Sequence, residues 1–368
     1  MKGHIIKRGS KYSFVLDIGP HPETGERRQR WFSGYKTKKE AQTDLAKKIT
    51  ELNEGTFVDP SKITLKEYLI EWLEIKKMSV EKSSLSRYQS SINTHIIPSI
   101  GMVPLHKLNV MHIQKCYQSG LNSGIANNTI LFQHRVLRAA LNLAVKQNII
   151  SRNPATLAVI PKTEKSSIQT WIEAEVKQFL LHSQESRYHI GYLLAITTGM
   201  RLGEVLGLRW QDVDFNNHTV TINQTLGHDN KIKTSAKNNS SKRTIPIPLE
   251  VIEELKRRKL QINKDKLRIG PAYHDLDLIT CNNLGKVTTR STFTSHFNKV
   301  IENAGIKKIK FHDTRHTHAT LLLKQGVHPK VVSERLGHSD ISLTLRIYSH
   351  VLPNMQEDAV KAFAKNIF

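Results

Sequence analysis

The sequence predicts a multidomain α+β protein: a small N-terminal β-sheet plus helix, an all-α middle segment, and a mixed, mainly helical C-terminal segment with a small antiparallel sheet. Two observations predict it. Apolar residues alternate at period two near the N-terminus and again in short runs after residue 217, whereas elsewhere they recur at i, i+3 and i+4. Polar breaks rich in Pro, Gly and Ser divide the 368 residues into lengths that suit separate cores.

Residues 1–58 form the first segment. In "KYSFVLDIG" Tyr12, Phe14, Leu16 and Ile18 alternate onto one face; the turn "HPETGE" and a second strand, "RRQRWFSG", follow. "TKKEAQTDLAKKITELNEG" opens with a capping box, Thr37 to Glu40. It sets Ala41, Leu45, Ile49 and Leu52 on one helical face and stops near Gly55. Lys7, Arg8, Lys11, Arg27, Arg28 and Arg30 on such a sheet fit a DNA groove, and they also fit a solvated sheet edge.

Residues 63–158 read as about four helices. A second capping box, Thr64 to Glu67, starts "TLKEYLIEWLEIKK"; "SLSRYQSSINTHII", "VMHIQKCYQSGL" and "NTILFQHRVLRAALNLAVKQ" carry further apolar stripes, with Pro98, Gly101 and Pro104 as separators. A linker over residues 159–170, including the polar "IPKTEKSSIQT", leads into residues 171–368. There "EAEVKQFLLHSQ", "HIGYLLAITTGM" and "LGEVLGLRW" read as helices, "HTVTIN" and "KRTIPIP" as strands, and more helices follow "HDLDLITCN".

Lys and Arg number 55 against 32 Asp and Glu, a formal charge of +23. An excess of that size points to nucleic acid or another polyanion, with a generally solvated surface as the alternative. "MKGHIIKRGSKYSF" lacks the apolar core of a signal peptide, and no segment approaches the ~20 apolar residues of a membrane span, so a soluble cytoplasmic protein without membrane contact is expected. Cys116 and Cys281 sit in no C-x-x-C pair, which argues against a disulfide framework or thiolate zinc site.

The chemistry concentrates in four short stretches. In "FHDTRHTHATLLLKQG", His312 and Arg315 share a helical face, while His312 and His316 have the H-x-x-x-H spacing of helical zinc ligands. Asp313 stands where a zinc protease would have glutamate, and Arg315 between the histidines would repel a dication. A metal site is therefore the weaker reading. "RLGHSDISLTLRIYSH" stops a helix at Gly337, presents His338 at its end, and carries Tyr348 a little further on. In "TTGMRLGEVLGLRW", Gly199 breaks a helix and Arg201 begins the next, where free N–H groups favour phosphate; Glu204 is spaced to hold the guanidinium, or to form an ordinary surface pair with it. Metal-free phosphodiester cleavage needs a deprotonated nucleophile, neutralisation of the phosphorane and a proton for the leaving oxygen. A free tyrosine is only about 0.1% phenolate at pH 7, so a base or positive potential must assist it. Paired arginines can take the charge-neutralising part.

"TTGMRLGEVLGLRW", "KRTIPIP", "HDTRHTHATLLL" and "LGHSDISLTLRIYSHV", in this order and spacing, resemble the tyrosine recombinases, specifically integrases of temperate phages and conjugative transposons. The resemblance spans essentially the full chain. It implies an arm-type DNA-binding domain over 1–58, a helical core-binding domain over 63–158 and a catalytic domain over 171–368. It also implies that Arg201, His312, Arg315, His338 and Tyr348 are catalytic. Tyr348 would attack the scissile phosphate and form a 3′-phosphotyrosyl bond. Arg201 and Arg315 would stabilise the phosphorane, His312 would act as base toward Tyr348, and His338 would hydrogen-bond a nonbridging oxygen. The family's lysine, six residues ahead of an arginine-led strand, falls on Lys237, which would protonate the leaving 5′-oxygen. Asn238 departs from the threonine common after that lysine, leaving Lys231 and Lys233 as substitutes. His316, His318 and His350 are left with structural roles.

The resemblance further implies no metal, ATP or other cofactor. Its partners would be duplex DNA at core and arm sites, a homotetramer on that DNA, an excisionase and a host DNA-bending protein, at the bacterial nucleoid. The tail, with Met355, Ala359, Phe363 and Ile367 at four-residue spacing, would pack on its own domain or on a neighbour. A type IB topoisomerase would share the chemistry, and a non-catalytic DNA-binding regulator would share the charge.

Overall fold

Strand pairing begins the chain. The computed structural model describes residues 3–20, 25–54, 57, 63–163, 168–234, 242–338, 340–348, 360, 363 and 364. It divides into two compact units, Met1–Lys165 and Ser166–Phe368.

In the first unit β1 (Gly3–Arg8), β2 (Lys11–Pro20) and β3 (Arg27–Tyr35) form an antiparallel sheet in the order β1-β2-β3. The short polar β1 is an addition to the two strands that alternation predicts. Phe14 and Leu16 of the central strand are buried with Ala41 and Leu45 of α1 (Lys38–Asn53), and Tyr12, Ile18, Ile49 and Leu52 pack against them. The predicted capping box is formed: the Glu40 N–H donates to Thr37 Oγ1 at 3.2 Å and the Thr37 N–H to the Glu40 carboxylate at 3.3 Å.

Register separates the basic residues that sequence places on one sheet. Arg8 pairs with Lys11, whereas Lys7 pairs with Tyr12 and Arg30 with Leu16. Directly opposed residues share a face, so Arg8 and Lys11 lie on one side and Lys7 and Arg30 on the helix side. The Arg8 guanidinium lies 4.4 Å from the ring centroid of Trp31, which is 50% exposed.

The rest of this unit is helical: α2 (Leu65–Lys77), α3 (Lys82–Ser91), α4 (Ile97–Ile100), α5 (Val110–Asn122) and α6 (Asn127–Lys146). They surround Leu65, Tyr68, Leu69, Trp72, Ile113, Tyr117, Leu137 and Leu141. The Thr64–Glu67 box caps α2 as predicted. Pro98 is not a separator. The π-helical turn Ile92–Ile96 joins α3 to α4, and Pro98 lies inside α4. The wider i→i+5 turn relieves the clash that a proline ring makes with the preceding helical turn.

The second unit contains α7 (Glu173–Ser183), α8 (His189–Thr198), α9 (Leu202–Gly207), β4 (Val213–Asp214), β5 (Thr219–Ile222), β6 (Gln224–Leu226), β7 (Ile232–Thr234), β8 (Arg243–Pro246), α10 (Leu249–Ile269), α11 (Arg290–Ala304), α12 (Asp313–Lys324), α13 (Pro329–Leu336) and α14 (Ile341–Tyr348). Strands β4-β5-β8 form one antiparallel sheet and β6-β7 a hairpin. Helix α8 is apolar on nearly every side, burying Ile190, Tyr192, Leu194, Ala195 and Ile196. A helix of that kind belongs in a core. Trp171, Phe179, Phe293, Phe297 and Phe311 pack in the same core, and a fully buried side chain of this size contributes about 1.5–3 kcal/mol. A smaller cluster, Ala319, Leu323, Val332, Leu336 and Tyr348, joins α12, α13 and α14. Cys116 and Cys281 are buried free thiols.

Candidate active site

Helix α8 delivers the first half of the site through its C-terminus. Gly199 ends it in the left-handed conformation, φ +69°, and a Cβ there would stand 2.6 Å from Leu336 Cδ2 and 2.8 Å from His318 Cδ2. Only glycine meets both the torsion and the close approach. Arg201 follows as the N-cap of α9. Its N–H donates to Glu204 Oε2 at 2.9 Å and its Nη1 to Oε1 at 2.9 Å, which holds the head group while 41% of the side chain stays exposed.

Glu204 also accepts from Arg243, Nη2 to Oε2 at 2.9 Å. Burial pushes the Glu204 carboxyl up, but Arg243 and then Arg201 more than offset it, so the group is held below its ordinary range. Arg243 opens β8 and donates from Nε to the Arg335 carbonyl at 2.7 Å, tying that strand to α13. Sequence reasoning used Arg243 only to count back to Lys237. The signal for its own role was an arginine at the start of a strand, but its partner Glu204 lies 39 residues away.

Arg315, on the first turn of α12, is 3% exposed; it donates from Nη1 to Gly199 O at 2.8 Å and from Nη2 to Leu336 O at 2.6 Å. Both carbonyls lie at helix C-termini, where the backbone dipoles leave about half a negative charge each. Burial, then Arg201 and Arg243, pull its pKa down to about 9, opposed by Glu204 and Tyr348, so it remains a cation at pH 7. Two of its five N–H groups are committed.

Helix α13 ends at Gly337, again left-handed, with φ +68°. His338 follows; its N–H donates to Ser333 O at 3.0 Å, and its Nδ1 is 2.7 Å from Thr344 Oγ1. Burial, then the charges of Arg315, Arg201 and Arg243, lower its pKa to about 4, so the ring is neutral at pH 7. Partial desolvation, then Arg315, with a smaller effect of Arg201 and with Asp313 opposing, hold His312 below its ordinary range.

Tyr348, at the end of α14, is 1% exposed. Burial raises its hydroxyl well above the ordinary tyrosine value, with Arg315 opposing. The hydroxyl lies 2.7 Å from His316 Nδ1. The histidine in contact with Tyr348 is thus His316, which sequence reasoning left as structural, and not His312. The His312 and His316 rings are perpendicular with centroids 5.2 Å apart. His318 is the packed residue it was expected to be: it is buried and bonded through Nδ1 to Ile196 O at 2.9 Å.

Lys237 and His350 lie outside the described residues, as do Met355, Ala359 and Ile367 of the tail. Of the substitutes for Lys237, Lys231 precedes β7 and is exposed, and Lys233 on β7 pairs with Asp229 at 3.7 Å. A single connected network therefore joins Arg201, Glu204, Arg243, Arg335, Leu336 and Arg315, with His338 beside it; His312 at the start of α12 and His316 on it flank Arg315 in sequence, and Tyr348 of α14 meets His316.

The Phage integrase family matches residues 167–355, more than half of the chain. The chain belongs to the phage integrase family. It is a tyrosine recombinase, an enzyme of site-specific DNA cleavage and rejoining. The N-terminal SAM-like domain of phage integrases matches residues 64–122 of this integrase, and an arm DNA-binding domain matches residues 4–52. A tyrosine recombinase XerC-like protein of Caldanaerobacter subterraneus subsp. tengcongensis is 32% identical, over 98% of this integrase and 97% of that protein. Among solved structures, the Tn1549 transposon integrase in complex with a circular intermediate DNA matches with TM-score 0.70 at 18% identity, covering 82% of this chain and 99% of that one. A lambda integrase tetramer bound to a Holliday junction matches with TM-score 0.61 at 18% identity, covering 92% of each.

Proposed function

We propose that this integrase breaks duplex DNA at core sites by attack of Tyr348 on the scissile phosphate, forming a 3′-phosphotyrosyl bond and freeing a 5′-hydroxyl that then attacks a partner duplex. One observation carries the reading: the Tyr348 hydroxyl is bonded to a histidine on the very helix that anchors Arg315, within reach of that guanidinium's charge. Arg201 and Arg315 neutralise the pentacoordinate phosphorus. Arg201 brings exposed donors, and Arg315 brings those its two carbonyls leave over. His338, neutral and fixed through Nδ1, offers Nε2–H to a nonbridging oxygen. The base toward Tyr348 comes from the histidine face of α12, on which the resemblance points to His312. Lys237 protonates the leaving oxygen.

The partners follow from the same reading: core-site DNA for the helical segment, arm-site DNA for the basic sheet, and a homotetramer that joins two duplexes, as the lambda integrase tetramer on a Holliday junction suggests. An excisionase and a host DNA-bending protein complete the set, and the substrate is a mobile element that integrates and excises. The test is a nicked suicide duplex run on a denaturing gel in EDTA. Protein–DNA attachment by the wild type and none by Tyr348→Phe is the expected result; attachment by Tyr348→Phe overturns the reading. Relaxation of any supercoiled plasmid without joined-site products would instead mark a topoisomerase.

A further inference from the structure

We infer that His316 is the first acceptor of the Tyr348 proton during strand cleavage, a catalytic residue in addition to the set carried over by resemblance; the inference rests on the reading of Tyr348 as nucleophile. Its Nδ1 is 2.7 Å from the hydroxyl, inside the range for direct proton transfer. The ring is held between two neighbours, with the His312 ring perpendicular at 5.2 Å and the Tyr348 ring at 5.7 Å. Of a neutral phenol and a neutral imidazole, the phenol is the better donor, which leaves the lone pair on Nδ1 and the hydrogen on Nε2. Burial, then His312, hold His316 below its ordinary range, with Arg315 adding to this and Asp313 opposing, so the lone pair is free at pH 7.

In the forward step the Tyr348 O–H bond breaks and its proton passes to Nδ1. The phenol oxygen bonds to phosphorus while the P–O5′ bond breaks, its electron pair staying on the 5′-oxygen, which takes a proton from the general acid proposed above. The imidazolium so formed lies near Asp313 and the phosphodiester anion. On rejoining, the 5′-hydroxyl returns its proton to the same general acid, now deprotonated, as it bonds to phosphorus, the P–O(Tyr348) bond breaks, and Nδ1 returns its proton to the phenol. The His312 ring, perpendicular to that of His316, forms its far wall.

Single-turnover attachment to a nicked duplex tests this, using either the ordinary 5′-oxygen or a 5′-bridging phosphorothiolate, whose sulfur leaves without an acid. His316→Asn keeps a hydrogen-bond acceptor near the Nδ1 position but cannot hold a proton. It is expected to lose about 10²-fold on both substrates, with a rate that climbs with pH where the wild type is level. His316→Ala should show the same loss and recover in part with added imidazole. Gel-shift binding of intact duplex reports that each variant is folded. Wild-type rate and pH profile in His316→Asn overturn the assignment, as does a defect confined to the oxygen leaving group. Attachment persisting in Tyr348→Phe would instead sink the nucleophile reading, whatever His316 does.

Discussion

The two halves of the site are held by different forces. The arginine half is fixed by directional bonds: Glu204 between Arg201 and Arg243, and Arg315 between two helix ends. The nucleophile half is one eight-residue helix, α14, whose Tyr348 is kept by apolar packing with Ala319, Leu323, Val332 and Leu336 and by the bond to His316. The difference teaches that the charge-bearing half is formed before any phosphate arrives, whereas the attacking group rests on weaker local packing. Preorganised charge is the larger contributor to catalysis in most sites of this type.

The sharpest way to break the comparison is to strand a buried charge. Arg243→Met leaves Glu204 with Arg201 alone and should cost about 3–5 kcal/mol of stability, measured by chemical denaturation. Pairing it with Glu204→Gln should restore part of that. Arg315→Lys removes the planar fork and should lower phosphotyrosine formation by about 10²–10³-fold in single-turnover assays while duplex binding persists. Acid acts next. His318 is pulled to about 3, first by burial, then by Arg335. Its contribution is fully present above its ordinary value near 6.5, and as pH falls from there toward about 3, stability should drop by roughly 1.4 kcal/mol per pH unit. His318→Gln should flatten that slope in pH-dependent melting. The depressed Glu204 acts in the same direction at lower pH, beginning below the ordinary carboxylate value. The mildest change, Ile347→Val on α14, should cost about 1 kcal/mol locally. If the nucleophile half is separately held, cleavage slows while the global Tm stays put; a matching fall in Tm would show the halves to be one cooperative unit.

What was legible in the sequence was what neighbouring residues decide. The capping boxes at Thr37 and Thr64, the helix stops at Gly199 and Gly337, and the Arg201–Glu204 pair all lie within one turn, so spacing alone predicts them. Pro98 misled because a π-helical turn, which no periodicity announces, accommodates a ring that an α-helix would reject. The contact of His316 with Tyr348 was hidden for a different reason. The spacing of His316 from His312 was plain, but its partner is 32 residues away and set by how α14 packs on α12. Which face of the N-terminal sheet each basic residue takes was not legible, since strand register, unlike strand identity, depends on pairing between segments.

Arg315's anchoring has a thermodynamic consequence for DNA binding. Two helix ends offering about half a charge each act as a counterion that cannot dissociate. Mobile salt ions have little reason to gather at that guanidinium, whereas the half-exposed Arg201 attracts them. When phosphate enters, the ions set free are the cations condensed on the DNA, so Arg315 contributes to the dependence of affinity on ionic strength without first having to shed a mobile anion of its own.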